Sequence, residues 1–380
     1  MRVVIAPDSF KGTLDAAAAA EALAEGWSRA RPGDEIVTLP LADGGEGTLE
    51  ALGAGLPADS HRTAVVTGPG GGSVEAAWLL RPDGTAVVEL ARAAGLPQLD
   101  PPDPLGATTF GVGELLKIAA ADPVTTRILL GLGGSATTDG GSGALAALGA
   151  RLVDADGVDL PRGGGALAHL ASIDLSGMVA APANGLECLV DVTNPLVGER
   201  GAAAVFGPQK GATAGDVAAL DEALAHFADV LAGVGPRAME RSTPGAGAAG
   251  GTAFGLLSCW PGRMVPGSRA VAEAAGLAEA LADADVAITG EGRFDDQSVQ
   301  GKVVGNLLEM AEENETVVAV AAGAVAAMPQ HPAVAAVSLT SLAGSAQAAM
   351  AEPARWLVAA GEALAGDATL LDAVAAMLDR

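Results

Sequence analysis

With 380 residues the chain exceeds one ordinary domain of roughly 150 residues, and two domains are expected. Half of the chain is apolar but only 3% is aromatic and Tyr is absent, so the cores must rest on Ala, Val and Leu, and base-stacking surfaces are excluded. A formal charge of -25 repels phosphate backbones and anionic lipid, which excludes nucleic acid and membrane surfaces as partners and gives weight to any Lys or Arg inside a Gly-rich loop.

The opening "MRVVIAPDSF" reads as a first strand, because Asp8 interrupts it long before a signal-peptide core is complete. The helix "AAAAAEALAEGWSRA" and the strand "EIVTLPL" follow. Between Ala64 and Gly95 the pattern becomes strand, turn, strand, with Asp83-Gly84 as the hairpin signal, so antiparallel pairing is expected there. "RILLGL" is a strand that passes through "GGSATTDGGSG" into the helix "GALAALGA", and "LECLVDV" is another strand. Residues 212–235 space their apolar side chains at helical intervals with no strand close by. "DVAITG", the helix "VVGNLLEMAEE", "VVAVAAG" and "AAVSLTS" complete the chain.

These strand runs are continuously apolar, as parallel strands covered on both faces require. The pattern therefore predicts an α/β protein with a parallel-sheet domain built from residues 1–63 and 278–380. A second α/β (α+β) domain, residues 64–277, is inserted in it, with a cleft at the junction. The longest apolar stretch, "VVAVAAGAVAAM", falls short of the ~20 residues that span a bilayer. Cys188 and Cys259 include no CxxC, so a reduced, cytoplasmic setting is expected and not a disulfide framework.

In open parallel sheets ligands sit beyond the carboxyl ends of the strands, so the loops there are the place to look. "APDSFKGTL" sets Asp8, Ser9, Lys11 and Thr13 after the first strand as a receptor for a polar anion, against the plainer reading of Thr13 as a helix cap. "LADGGEGTLEAL" places Asp43 and Glu46 two glycines apart, a spacing that suits a hard ion such as Mg²⁺ or, equally, a solvated turn. "GLGGSATTDGGSG" lets backbone approach a ligand at Gly133 and Gly134 and adds Ser135, Thr137 and Thr138 as uncharged donors. That suits polyphosphate, though the loop lacks the Lys of a Walker A motif; tight packing is the alternative.

"LVDVTNPLVGERGAAAVFGPQKGAT" delivers Asp191 at a strand end and Lys210 in a Gly-flanked turn; Asp191 there accepts a substrate proton, binds metal, or merely makes a turn before Pro195. "PGAGAAGG" holds a formal GxGxxG at Gly245, Gly247 and Gly250, but no strand leads into it, so it reads as a glycine-lined wall or hinge. "ITGEGRFDDQSVQGKVVG" brings Glu291, Arg293, Asp295, Asp296 and Lys302 beyond another strand, where carboxylate and phosphate groups are met. His61, His169, His226 and His331 lie far apart without HExxH, and no GxSxG occurs, which sets aside a zinc site and a serine-hydrolase elbow.

Taken in order, "APDSFKGTL", "LADGGEGT", "GLGGSATTDGG", "DVTNPL", "FGPQKGAT", "PGAGAAGG" and "ITGEGRFDDQSVQGK" resemble the bacterial glycerate kinase family of type I, from residue 1 to about 365. The resemblance implies a discontinuous flavodoxin/Rossmann-like domain with a second α/β domain inserted in it. It also implies ATP- and Mg²⁺-dependent phosphorylation of D-glycerate, with 2-phosphoglycerate as the product. Ser298-Val299 stands where the family tends to have Thr-Leu, and the final "GDATLLDAVAAMLDR" is additional to the pattern.

With this reading Gly133, Gly134, Ser135 and Thr137 take the ATP phosphates, and Lys11 or Lys210 steadies the moving phosphoryl group. Asp191 orients or deprotonates the glycerate hydroxyl, and Asp43, Glu46 or Glu291 holds the metal. Asp8, Ser9 and Arg293 receive the diol and carboxylate. The expected partners are ATP and the small acid alone, in a monomer or homodimer. Two rival readings stand beside it: a non-catalytic two-domain small-acid binding protein, and an NAD(P)-dependent oxidoreductase supported only by the isolated GxGxxG.

Overall fold

The computed structural model describes residues 1–10, 12–237, 239–295, 298, 302–326 and 333–379. In chain order the strands are β1 (Arg2–Ile5), β2 (Glu35–Thr38), β3 (His61–Thr67), β4 (Ser73–Leu80), β5 (Thr85–Glu89), β6 (Arg127–Gly131), β7 (Arg151–Val153) and β8 (Ser172–Asp174). They continue as β9 (Leu186–Leu189), β10 (Gly262–Val265), β11 (Val286–Phe294), β12 (Val317–Val325) and β13 (Ala333–Ser338). Every continuous apolar run read as a strand forms one. The chain divides into two compact units: Met1–Asp43 with Glu50–Ala54 and Pro266–Arg380, and Gly44–Leu49 with Gly55–Val265.

The first unit carries a five-stranded sheet in the order β13-β12-β11-β1-β2, all pairs parallel. Numbered within the unit, that order is 2-1-3-4-5 read from the β2 edge, which is flavodoxin-like. Alternation along β1 and its continuation to Ala6 shows why residues 3–6 are all apolar. Val3 and Ile5 enter a core with the helices Ala16–Ala30 and Pro353–Ala365, while Val4 and Ala6 enter a second core with the helix Val303–Glu313. The segment beyond residue 365 belongs to this architecture: Asp367 caps the helix Ala368–Leu378 by accepting the Leu370 N–H, and Leu370 and Val374 are buried in the first of those cores.

The second unit carries a six-stranded sheet, β10-β9-β6-β5-β4-β3. β5, β6, β9 and β10 run parallel, while β3 and β4 add antiparallel pairs at one edge, joined to β5 through the Asp83-Gly84 turn. β10 and the small antiparallel β7–β8 pair leave no mark in the sequence because three or four residues, several of them exposed, make no apolar run. Among the described residues no helix is long and apolar enough to cross a membrane.

Candidate active site

In the second unit the register aligns Glu89, Gly131, Leu189 and Val265 as the carboxyl ends of four parallel strands. The loops that leave this edge carry most of the chemistry. After β6 the chain runs through Gly133, Gly134, Ser135, Thr137 and Asp139 into the helix Ser142–Ala147. Lys210 joins them from a short turn, Pro208–Lys210, that Gly211 ends at φ +90°. Its ammonium donates to the Thr137 carbonyl at 2.6 Å and to Ser135 Oγ at 3.0 Å. Lys210 is 2% exposed, and burial lowers its pKa to about 8, with the Asp139 charge pulling it back up. Ser135, Thr137 and Lys210 are thus brought together.

Asp139 is the residue the sequence reading passed over. Its fully buried carboxylate accepts the N–H groups of Thr109 (2.8 Å), Gly141 (3.1 Å) and Gly143 (3.3 Å) and the Thr109 hydroxyl (2.9 Å). Burial pushes its carboxyl above the ordinary carboxylate value, and the four donors work against that rise. The glycines have an equally concrete reason. A Cβ at Gly131 would sit 2.8 Å from the Gly44 carbonyl oxygen and one at Gly133 the same distance from Gly45 Cα, so the loops around 44–47 and 131–134 meet backbone to backbone. Gly134, at φ +71°, needs the left-handed region.

Three more acidic residues mark this edge. Glu89, 2% exposed, accepts the Leu49 N–H and Arg92 Nε, both at 2.9 Å. The signal for Glu89 is an acid that ends the strand-like run "TAVVE". Asp191 follows β9 and is exposed, in a segment where the Asn194 side chain donates to the Arg200 carbonyl. Glu46 is exposed, on the loop that faces Gly131 and Gly133.

In the first unit, β1 and β11 are neighbours at the point where strand order reverses, which is where a sheet of this order binds ligands. Asp8 N–H donates to the Gly290 carbonyl at 2.8 Å, and the Asp8 carboxylate accepts the Ser9 N–H at 2.6 Å. Glu291 lies close enough to Asp8 for their charges to interact, and among the described residues its buried Oε1 has no hydrogen-bond partner. Burial, reinforced by Asp8 and Asp295, raises the Glu291 pKa, while Ser298 and Lys302 oppose the rise. Arg293 is exposed and paired with Asp295 at 3.1 Å. Asp43 is half-buried in this unit, and Lys11 lies outside the described residues.

Among the described residues no group of three or more His, Cys, Asp or Glu side chains is arranged to hold a metal ion. Mg²⁺ commonly needs only one or two carboxylates beside phosphate oxygens and water. The buried, unpartnered Glu291 oxygen next to Asp8 fits that lesser demand.

The Glycerate kinase family matches residues 3–368. A glycerate kinase of Bacillus subtilis (strain 168) is 46% identical over 330 residues, 85% of each chain. A glycerate 2-kinase of Escherichia coli (strain K12) is 42% identical over 335 residues, again 85% of each. A crystal structure from Salmonella typhimurium LT2, described as a glycerate kinase 2, superposes with a TM-score of 0.84 at 38% identity and covers 96% of this chain and 97% of its own.

Proposed function

Because the chain belongs to the glycerate kinase family, we propose that it transfers the γ-phosphoryl group of ATP to D-glycerate with Mg²⁺, forming 2-phosphoglycerate. The observation that carries this reading is Lys210: an ammonium 2% exposed, aimed at Ser135 and Thr137 beside a parallel-sheet carboxyl edge, in a chain of formal charge -25. Burying such a charge is costly, and an anionic ligand repays the cost. The 2-position follows the name of the Escherichia coli relative.

In the proposed step the glycerate hydroxyl oxygen attacks the γ-phosphorus as its bond to the bridging oxygen of ADP breaks, and the hydroxyl proton passes to the Asp191 carboxylate. Charge spreads over the transferring oxygens and the departing ADP, so catalysis consists chiefly of alignment and neutralisation. Lys210, Ser135 and the backbone around Gly133 and Gly134 supply donors for those oxygens, and Lys11 adds a second ammonium. Asp139 keeps the loop in shape through its four donors and holds a negative charge near Lys210. Glu291 and Asp8 would hold Mg²⁺, which supplies charge neutralisation on the phosphate oxygens. Ser9 and Arg293 take the hydroxyl and carboxylate groups of glycerate.

ADP release from ATP and Mg²⁺ should depend on D-glycerate, with NAD(P) absorbance unchanged. Asp191→Asn should lower turnover at least about 10²-fold while ADP still binds. Unchanged turnover in that variant removes Asp191 from the mechanism, and ADP release indifferent to glycerate removes the activity. The dinucleotide reading has lost its support, since among the described residues no strand runs into Gly245 and the chain there forms turns.

A further inference from the structure

The segment Gly245–Gly251 matches a phosphate-binding pattern without its strand, and its contacts give it another task. A Cβ at Gly245, where φ is +88°, would sit 3.0 Å from Val190 Cγ1 and 3.3 Å from the Val192 carbonyl oxygen, the residues on either side of Asp191. Gly247 donates its N–H to the Asn194 carbonyl at 3.0 Å, and a Cβ there would collide with the Pro195 carbonyl. Three residues on, a Cβ at Gly250 would collide with the Thr137 carbonyl and reach 2.6 Å from Thr138 Cα. The Gly250 carbonyl accepts the Gly140 N–H at 2.9 Å. One end of the segment therefore grips the turn after β9, and the other grips the loop after β6.

Between the two grips the chain is locked in the left-handed region at three successive residues: Ala249 (φ 50°, ψ 42°), Gly250 (φ 68°) and Gly251 (φ 90°). Ala249 has a Cβ that disfavours this conformation, so surrounding contacts must impose it. Thr252 supplies one, donating its hydroxyl to the Ala249 carbonyl at 2.7 Å. Thr252 also packs against the loop after β6, since a Cβ at Gly141 would lie 3.0 Å from its carbonyl oxygen.

We propose that residues 245–251 are a spacer that fixes the separation between the Asp191 turn and the Ser135–Asp139 loop, so that proton acceptor and phosphate donors are held in one alignment. Its residues touch neither reactant; they are positioning residues. The spacer rests on the roles given above to Asp191 and to the Ser135–Lys210 group. Its two ends make different predictions, because displacing the acid misaligns the reaction whereas displacing the loop weakens the phosphate site.

Gly247→Ala, whose φ of -81° suits any residue, tests the first end by adding only a Cβ. Its kcat should fall about tenfold or more, with the calorimetric Kd for ADP within about threefold of the parent. Gly250→Ala should instead weaken ADP binding by about tenfold. Thr252→Val, which keeps shape but loses the hydroxyl, should do the same more mildly, and it stands in if the Ala at position 250 prevents folding. Equal losses in both parameters from both ends, or no loss from either, overturn the spacer while a glycerate-dependent parent enzyme leaves the proposed function standing. A parent without glycerate-dependent turnover overturns the function, and the spacer falls with it.

Discussion

Lys210 titrates where enzymes are assayed, because burial lowers its pKa to about 8. Only its protonated form attracts phosphate. The affinity for ADP should therefore be flat below about pH 7 and fall as pH rises through the pKa of the free protein, by up to about tenfold per pH unit. Lys210→Arg should abolish that fall, since guanidinium stays charged. Asp139→Asn removes the charge that supports the ammonium, so the midpoint should move below 8, where an unmoved midpoint disproves the coupling. The sequence made Lys210 conspicuous because a cation flanked by glycines stands out in an acidic chain. It hid Asp139 and Glu89, which stand out only through burial and through donors from Thr109 and Leu49, tens of residues away along the chain. Asp191 was legible as a strand-end acid, but only the neighbouring segments show what holds its turn.

Helix packing in the first unit sets propensity against contact. Gly26 and Gly361 interrupt two Ala-rich helices, and by propensity Ala at either position gains about 1 kcal/mol. The packing says the reverse, because a Cβ at Gly26 would collide with the Val358 carbonyl and one at Gly361 with that of Leu23. Gly26→Ala should therefore lower stability by about 1–3 kcal/mol, read as a lower urea midpoint at unchanged slope, and a raised midpoint would show that the helices can separate freely. Strands were legible for the complementary reason: β1, β11 and β12 bury both faces over residues 3–5, 286–288 and 318–322, so each contains an apolar run that no other element explains. β10, at the sheet edge with Arg263 exposed, carries no such mark.

Across the whole molecule the order of motifs carried more than any motif alone, since glycines placed for packing and glycines placed for a ligand look identical in one loop. Gly131, Gly133, Gly141 and Gly143 all face protein atoms. The flavodoxin-like order 2-1-3-4-5 of the first sheet agrees with the resemblance, and each unit presents its polar residues beyond parallel strand ends. The most direct test is a crystal of the chain with a non-hydrolysable ATP analogue, Mg²⁺ and D-glycerate. Terminal phosphate oxygens are expected within hydrogen-bond distance of Lys210 Nζ and Ser135 Oγ, with a glycerate hydroxyl facing Asp191. A triphosphate seated away from the carboxyl ends of β5, β6 and β9 would contradict this arrangement.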